Sequence, residues 1–253
     1  MRVIVTRPAA QAADWVAQLQ AHAIDAVALP LIGIAPLVDP VALHAAWRGL
    51  AQQRMVVFVS PNAAEQFFAQ RPADAPWPAD LLAGSPGPGT TRVLAGRGVA
   101  PHRIVEPASD APQFDSESLW AQLRDRDWRG ASVLVVRGGG GREWLAQALR
   151  EAGAQVAHVV AYERTAPAFD TAGAAVLQAA LDRPAAHLWF FSSSEAIDNL
   201  AAVQGASAAW RAAGAIATHP RIAARARRLG FARVADARPT LAAVVACIQS
   251  LRP

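Results

Sequence analysis

The chain carries two copies of one pattern. Val3-Ile4-Val5-Thr6-Arg7-Pro8 returns as Val133-Leu134-Val135-Val136-Arg137-Gly138, and Asp14-Trp15-Val16-Ala17-Gln18 returns as Glu143-Trp144-Leu145-Ala146-Gln147. Ile34-Ala35-Pro36 returns as Thr165-Ala166-Pro167, and Val57-Phe58-Val59-Ser60 as Trp189-Phe190-Phe191-Ser192. All four offsets lie between 129 and 132 residues, so one register holds across the set. Two copies of a domain-sized unit imply two similar domains, and 253 residues leave room for both. They also imply a cleft between domains, a common home for a small-molecule site.

The repeated segments are short apolar runs followed by helix-like stretches. Val3–Val5, Val27–Leu29, Val56–Val59, Val133–Val136, Val156–Val160 and Leu188–Phe191 lack polar alternation, the pattern of strands covered on both faces of a parallel sheet. Helical spacing runs over Ala9–His22, Pro61–Ala69, Arg142–Ala152, Ser194–Val203 and Arg221–Leu229, the last closed by Gly230. Alternation of strand and helix predicts an α/β doubly wound unit, present twice. Arg71–Gly89 and Glu106–Pro112, rich in proline, are expected to be irregular connections.

Each copy's opening strand–helix–strand unit ends in Ala-Pro, at Ala35-Pro36 and Ala166-Pro167. Two exits at equivalent positions suit paired linkers. Residues 1–36 then join 167–253 as one discontinuous α/β domain, and 37–166 form the other. The alternative is a tandem cut near residue 128. The pattern alone leaves both open.

Composition excludes several chemistries. All 24 Lys-plus-Arg positions are arginine, which removes a Schiff-base lysine and a P-loop. The net charge is only +4. The isoelectric point of 10.7 is high because almost nothing titrates between histidine and arginine. There is no basic run with interleaved aromatics, so no nucleic-acid partner is expected and a small polyanion fits better. The lone Cys247 has no disulfide partner and reads as a small core residue. The longest apolar stretch, Ala26–Val38, is broken by Pro30 and Pro36 and is too short for a membrane span. The opening residues read as a strand rather than a signal peptide. The expectation is a cytoplasmic protein without a membrane partner, and a monomer.

Several short signatures follow one another in order. They are Val5-Thr6-Arg7-Pro8, Val59-Ser60-Pro61-Asn62-Ala63, Gly87-Pro88-Gly89-Thr90, Asp115-Ser116-Glu117-Ser118-Leu119, and Arg137-Gly138 with Gly141-Arg142. Ala161-Tyr162-Glu163-Arg164, Ser192-Ser193-Ser194-Glu195-Ala196 and Ala217-Thr218-His219-Pro220-Arg221 complete the series. In this order the chain resembles the uroporphyrinogen-III synthase family along nearly its whole length. It departs from the family at Ser85-Pro86 and in the glycine run Gly138–Gly141, which suggests more backbone than side-chain contact at that turn.

The resemblance implies two flavodoxin-like doubly wound parallel-sheet domains joined by a two-stranded linker. It implies cyclisation of linear hydroxymethylbilane to uroporphyrinogen III, with inversion of ring D and loss of water, and without a metal or organic cofactor. It also implies substrate handed on from hydroxymethylbilane synthase. The substrate of such an enzyme carries eight carboxylates, which arginines and helix N-termini can hold. The candidate binding residues are Thr6, Arg7, Ser60, Asn62, Gly87, Thr90, Ser116, Arg137, Gly138, Arg142, Ser192, Ser193, Ser194 and Thr218. For any one of the Ser and Thr positions, helix capping is an equal alternative.

Tyr162, the only tyrosine, falls just beyond a strand and beside the proposed linker. The resemblance places it at the family's suspected catalytic position, where a phenol can donate a proton to the departing hydroxyl. The plain alternative is an amphipathic linker residue. No histidine pair has zinc-ligand spacing, and the glycine run lacks the spacing of a dinucleotide loop. A non-catalytic two-domain receptor for an anionic ligand is the competing function.

Overall fold

The computed structural model describes residues 1–73, 75–205 and 207–251. In chain order the elements begin with β1 (Arg2–Val5), α1 (Ala9–Ala21) and β2 (Ala26–Ala28). There follow β3 (Gly33–Pro36), α2 (Val41–Arg48), β4 (Met55–Phe58), α3 (Pro61–Ala69), β5 (Leu82–Gly84), α4 (Pro88–Gly96) and β6 (Ile104–Val105). Next come α5 (Ser116–Trp120), β7 (Ser132–Gly138), α6 (Trp144–Glu151) and β8 (Gln155–Thr165). The chain closes with α7 (Thr171–Asp182), β9 (His187–Phe191), α8 (Ser194–Gln204), α9 (Ala209–Ala212), β10 (Gly214–Ala217), α10 (Pro220–Leu229), β11 (Arg233–Asp236) and α11 (Leu241–Ser250).

The chain divides into two compact units. One comprises Met1–Gly33 with the chain from Thr165 onward, and the other Ile34–Arg164. The chain therefore leaves the first unit and returns, crossing just ahead of Ala35-Pro36 and Ala166-Pro167, through β3 and β8, which are neighbours in one sheet.

In the first unit the sheet order is β11-β10-β9-β1-β2, all parallel. Numbered within the unit this is 2-1-3-4-5, the flavodoxin-like order. The other sheet runs β6-β5-β4-β7-β8-β3. Aligned on the first, β7 takes the place of β1, β8 of β2, and β4 of β9. The first and third of these pairs, β1 with β7 and β9 with β4, are built from the repeated sequence segments. The second unit is the same winding entered part-way round.

The apolar runs behave as buried parallel strands should. In β9, Leu188 and Phe190 join Val3, Val5, Leu19, Val244 and Ile248 on one face. Trp189 and Phe191 point to the other, where their rings meet Phe231, and Trp189 also meets Trp210. In the second unit, Val56, Phe58 and Val136 pack with Phe67 and Phe68 of α3. Met55, Val57, Val133 and Val135 face Leu119 of α5 and Leu145 and Leu149 of α6. Full burial of one such side chain contributes about 1.5–3 kcal/mol.

The stretch Arg71–Gly89, expected to be irregular, holds β5 and the start of α4 among its described residues. Its prolines lie outside the three-residue strand Leu82-Ala83-Gly84, which pairs with β4 and β6. Short strands with neighbours on both sides draw their stability from pairing, which leaves little periodicity to read. Cys247 is partly buried against the first unit's core, and burial raises its thiol pKa.

Candidate functional site

In a doubly wound sheet the ligand crevice lies beyond the carboxyl ends of the strands, where the winding reverses. In the second unit that reversal falls between β7 and β4. A cavity of about 270 Å³ opens there. Val57, Val135 and His158 stand side by side across β4, β7 and β8, and all three line it. Arg137, two residues further along β7 on the same face, Arg142 and Arg164 supply positive charge. Leu119 and Leu145 form an apolar wall, and Ser116 and Asp115 complete the rim.

The turn after β7 is clamped by its own arginine. Arg137 donates from Nε to the Gly140 carbonyl at 3.1 Å and from Nη2 to the Gly141 carbonyl at 3.1 Å, and its Nη1 pairs with Glu143. Only 12% of the Arg137 side chain is exposed. Gly140 and Gly141 have φ of +75° and +119°, a left-handed backbone that side chains resist. The four-glycine run thus permits a turn whose carbonyls curl back onto Arg137. The same bond to Arg137 holds the Glu143 carboxyl below its ordinary pKa.

His158 lies beside this network, with Nε2 at 3.2 Å from Glu143 and 3.0 Å from Arg150 Nη2. Desolvation lowers its pKa, and the charges of Arg137 and Arg150 add to that against the opposing pull of Glu143. One nitrogen cannot donate to Glu143 and accept from Arg150 at once. The lowered pKa favours the neutral ring accepting from Arg150. Arg142, in turn, grips Glu117 of α5 with two bonds of 2.5 and 2.8 Å. Asp115 caps α5 by accepting from the Ser118 amide at 2.9 Å.

Tyr162 lies inside β8 rather than beyond a strand, because β8 continues as the neighbour of both β7 and β3. The register slips at this point: Arg137 faces Val160, but Gly138 faces Tyr162. The bulge places Ala161 and Tyr162, consecutive residues, both in buried positions. Tyr162 is 0% exposed, and its ring packs closely against Gly138. A Cβ at position 138 would sit 2.6 Å from the Tyr162 ring carbon Cζ. The phenol oxygen lies 3.2 Å from Ser60 Oγ and accepts from Arg164 Nη2 at 3.4 Å.

Ser60 also caps α3, accepting from the Ala63 amide at 3.2 Å. Asn62 follows in the first turn, half-buried. Gly87 caps α4 and is buried, as is Thr90. The polar bonds at that turn belong to neighbours: Ser85 Oγ donates to the Gly87 carbonyl at 2.8 Å, and Thr91 Oγ1 donates to Ser85 Oγ at 2.9 Å.

In the first unit the corresponding reversal lies between β1 and β9. Thr6 is 1% exposed and donates its hydroxyl to the Phe190 carbonyl at 2.8 Å, stitching β1 to β9. The Arg7 guanidinium lies 5.0 Å from the Trp15 ring and 5.7 Å from that of Phe190. Ser193 caps α8, accepting from the Glu195 amide at 3.2 Å, with Ser192 and Ser194 half-buried on either side. Thr218 follows β10 and is buried. His219 caps α10, its Nδ1 accepting from the Arg221 amide at 3.1 Å.

A family model described as uroporphyrinogen-III synthase HemD matches residues 13–246. The chain belongs to the uroporphyrinogen-III synthase family. The uroporphyrinogen-III synthase of Synechococcus elongatus is 30% identical over 204 residues, covering 78% of this chain and 72% of that protein. The crystal structure of a mutant uroporphyrinogen III synthase from the extreme thermophile Thermus thermophilus shares the fold with a TM-score of 0.59 at 18% identity, over 99% of this chain and 98% of that one. That of the Helicobacter pylori 26695 enzyme does so with a TM-score of 0.57 at 18% identity, over the full length of both chains. Membership makes this chain a cyclising lyase of tetrapyrrole biosynthesis. Among the described residues no helix is long and apolar enough to cross a membrane.

For a synthase of this family, the second unit brings Ser116, Arg137 and Arg142 to one cavity, with Ser60, Gly138 and Tyr162 together on the opposite sheet face. Arg164, His158 and Glu143 were not among the residues picked from sequence. Arg164 had a readable signal, since it stands two residues beyond Tyr162 on one strand; near the strand's end its long side chain meets both the phenol and the cavity. His158 and Glu143 had none, because their pairing depends on the register of β7 against β8.

Proposed function

We propose that this chain closes hydroxymethylbilane to uroporphyrinogen III, inverting ring D with loss of water. Family membership carries the reading, and the arginine-lined cavity at the strand ends of the second unit supports it. Bilane closes by itself to the uninverted isomer, so the protein's task is to hold ring D while its substituted carbon attacks. Positioning of this kind can supply several kcal/mol. Arg142 and the strand-end turns of both units, with Thr6, Arg7, Ser60, Asn62, Gly87, Thr90, Ser116, Arg137, Gly138, Ser192, Ser193, Ser194 and Thr218, bind the substrate's carboxylates. Arg137 does so mainly by shaping the glycine turn, since its own donors are engaged there.

Tyr162 donates a proton to the departing hydroxyl. Because the side chain is fully buried, the phenol meets substrate only when its surroundings open. The chain works as a cytoplasmic monomer on bilane passed from hydroxymethylbilane synthase. Its functional domains are 1–36 with 167–253, and 37–166. The test is product analysis: bilane generated in place from porphobilinogen, then oxidation and separation of isomers. Type III product is expected, and type I alone refutes the proposal.

A further inference from the structure

We infer that Arg164 is a positioning residue for Tyr162, fixing the direction in which the phenol's proton points. The inference rests on the reading of Tyr162 as the proton donor. Both residues lie on β8, two positions apart, with the Arg164 guanidinium carbon 5.9 Å from the Tyr162 ring centroid. Arg164 Nη2 donates to the phenol oxygen at 3.4 Å. A guanidinium has five donors and no acceptor, and it stays charged. In this pair the phenol oxygen can therefore only accept.

The phenol's own proton must then go elsewhere. Ser60 Oγ, at 3.2 Å, is within reach. It already accepts from the Ala63 amide at 3.2 Å, and a hydroxyl oxygen has a second lone pair to offer. The bonds therefore run one way, from Arg164 to Tyr162 to Ser60. Without Arg164 the Tyr162–Ser60 bond could run in either direction.

Arg164 also lines the cavity that holds Arg137 and Arg142, whereas the Tyr162 phenol is fully enclosed. A carboxylate arriving in the cavity makes a charge-assisted bond with a guanidinium, roughly twice as strong as a neutral one. It competes directly with the long contact to the phenol. Arg164 thus couples occupation of the cavity by a carboxylate to the hydrogen bonding of an otherwise sealed tyrosine.

The test is steady-state kinetics on the full chain with Tyr162→Phe, Arg164→Gln, Arg164→Lys and the Phe/Gln double variant. Loss of a proton donor lowers kcat by about 100-fold or more. Arg164→Gln is expected to lower kcat by about 10-fold with KM changed less than about threefold, and Arg164→Lys to fall between it and the parent. In the Tyr162→Phe background the Gln substitution is expected to change kcat by less than about twofold. Equal losses of kcat in both backgrounds, or a rise in KM alone, would overturn the inference and leave the Tyr162 reading standing. A Tyr162→Phe variant with parental kcat would overturn both. Thermal unfolding of each variant identifies any loss of fold, and the lysine variant, which keeps the charge and stem, carries the test should the glutamine variant not fold.

Discussion

Replacing Gly138 by alanine should loosen the second unit through one contact. The new Cβ would lie 2.6 Å from Tyr162 Cζ, 2.8 Å from Cε2 and 3.0 Å from the hydroxyl oxygen. Ordinary contact begins near 3.4 Å, so ring or strand must retreat by about 1 Å in a close-packed core. Forced overpacking of this kind costs about 1–3 kcal/mol. The ring has little room to yield, since it belongs to the cluster that includes Phe58, Phe67 and Val136. Gly139→Ala is the control, because nothing lies within 4 Å of its added Cβ. It should change stability by no more than about 0.5 kcal/mol. Urea unfolding of the full chain, followed by tryptophan fluorescence, measures both. A Tyr162→Leu background tests the cause, since a smaller side chain should erase most of the Gly138→Ala penalty. An equal penalty with tyrosine and with leucine at 162 would refute the reasoning.

Ser193→Ala removes the cap of α8 and should cost about 1 kcal/mol in thermal or urea unfolding. As a substrate anchor its removal should also raise KM, and a parental KM would leave Ser193 a helix cap alone. His158, whose pKa is lowered in the folded protein, should make stability pH-dependent. Above its ordinary value of about 6.5 the ring is neutral in both folded and unfolded chains. As pH falls through that value the unfolded chain takes up the proton first, so stability drops until the lower folded pKa is passed. Urea midpoints from about pH 7.5 down to about 5 should show this decline in the parent and a flatter profile in His158→Gln; identical profiles would contradict it.

The fold was legible because the strands announce themselves. Val3–Val5, Val133–Val136 and Leu188–Phe191 are buried on both sides, so their composition is uniformly apolar and their repeat survives in sequence. β5, β6 and β3 are two to four residues long and are held by neighbouring strands, which no local pattern records. The same divide runs through the site. Ser60 and Ser193 were readable as residues that end a strand and open a helix, and both cap. The setting of Tyr162 was not readable, because a single bulge between β7 and β8 decides that it faces inward against Gly138. Nor was the engagement of Arg137 by its own turn, since that depends on the left-handed backbone of Gly140 and Gly141.

The central claim is that this chain directs ring closure rather than merely holding an anionic tetrapyrrole. The decisive measurement is the isomer ratio as a function of protein concentration, with bilane in large excess over protein. A catalyst converts many equivalents, so the type III fraction should climb well beyond the molar amount of protein and approach completeness. A binder would leave type I as the sole isomer, and at most delay its appearance by one equivalent; that result would contradict the account.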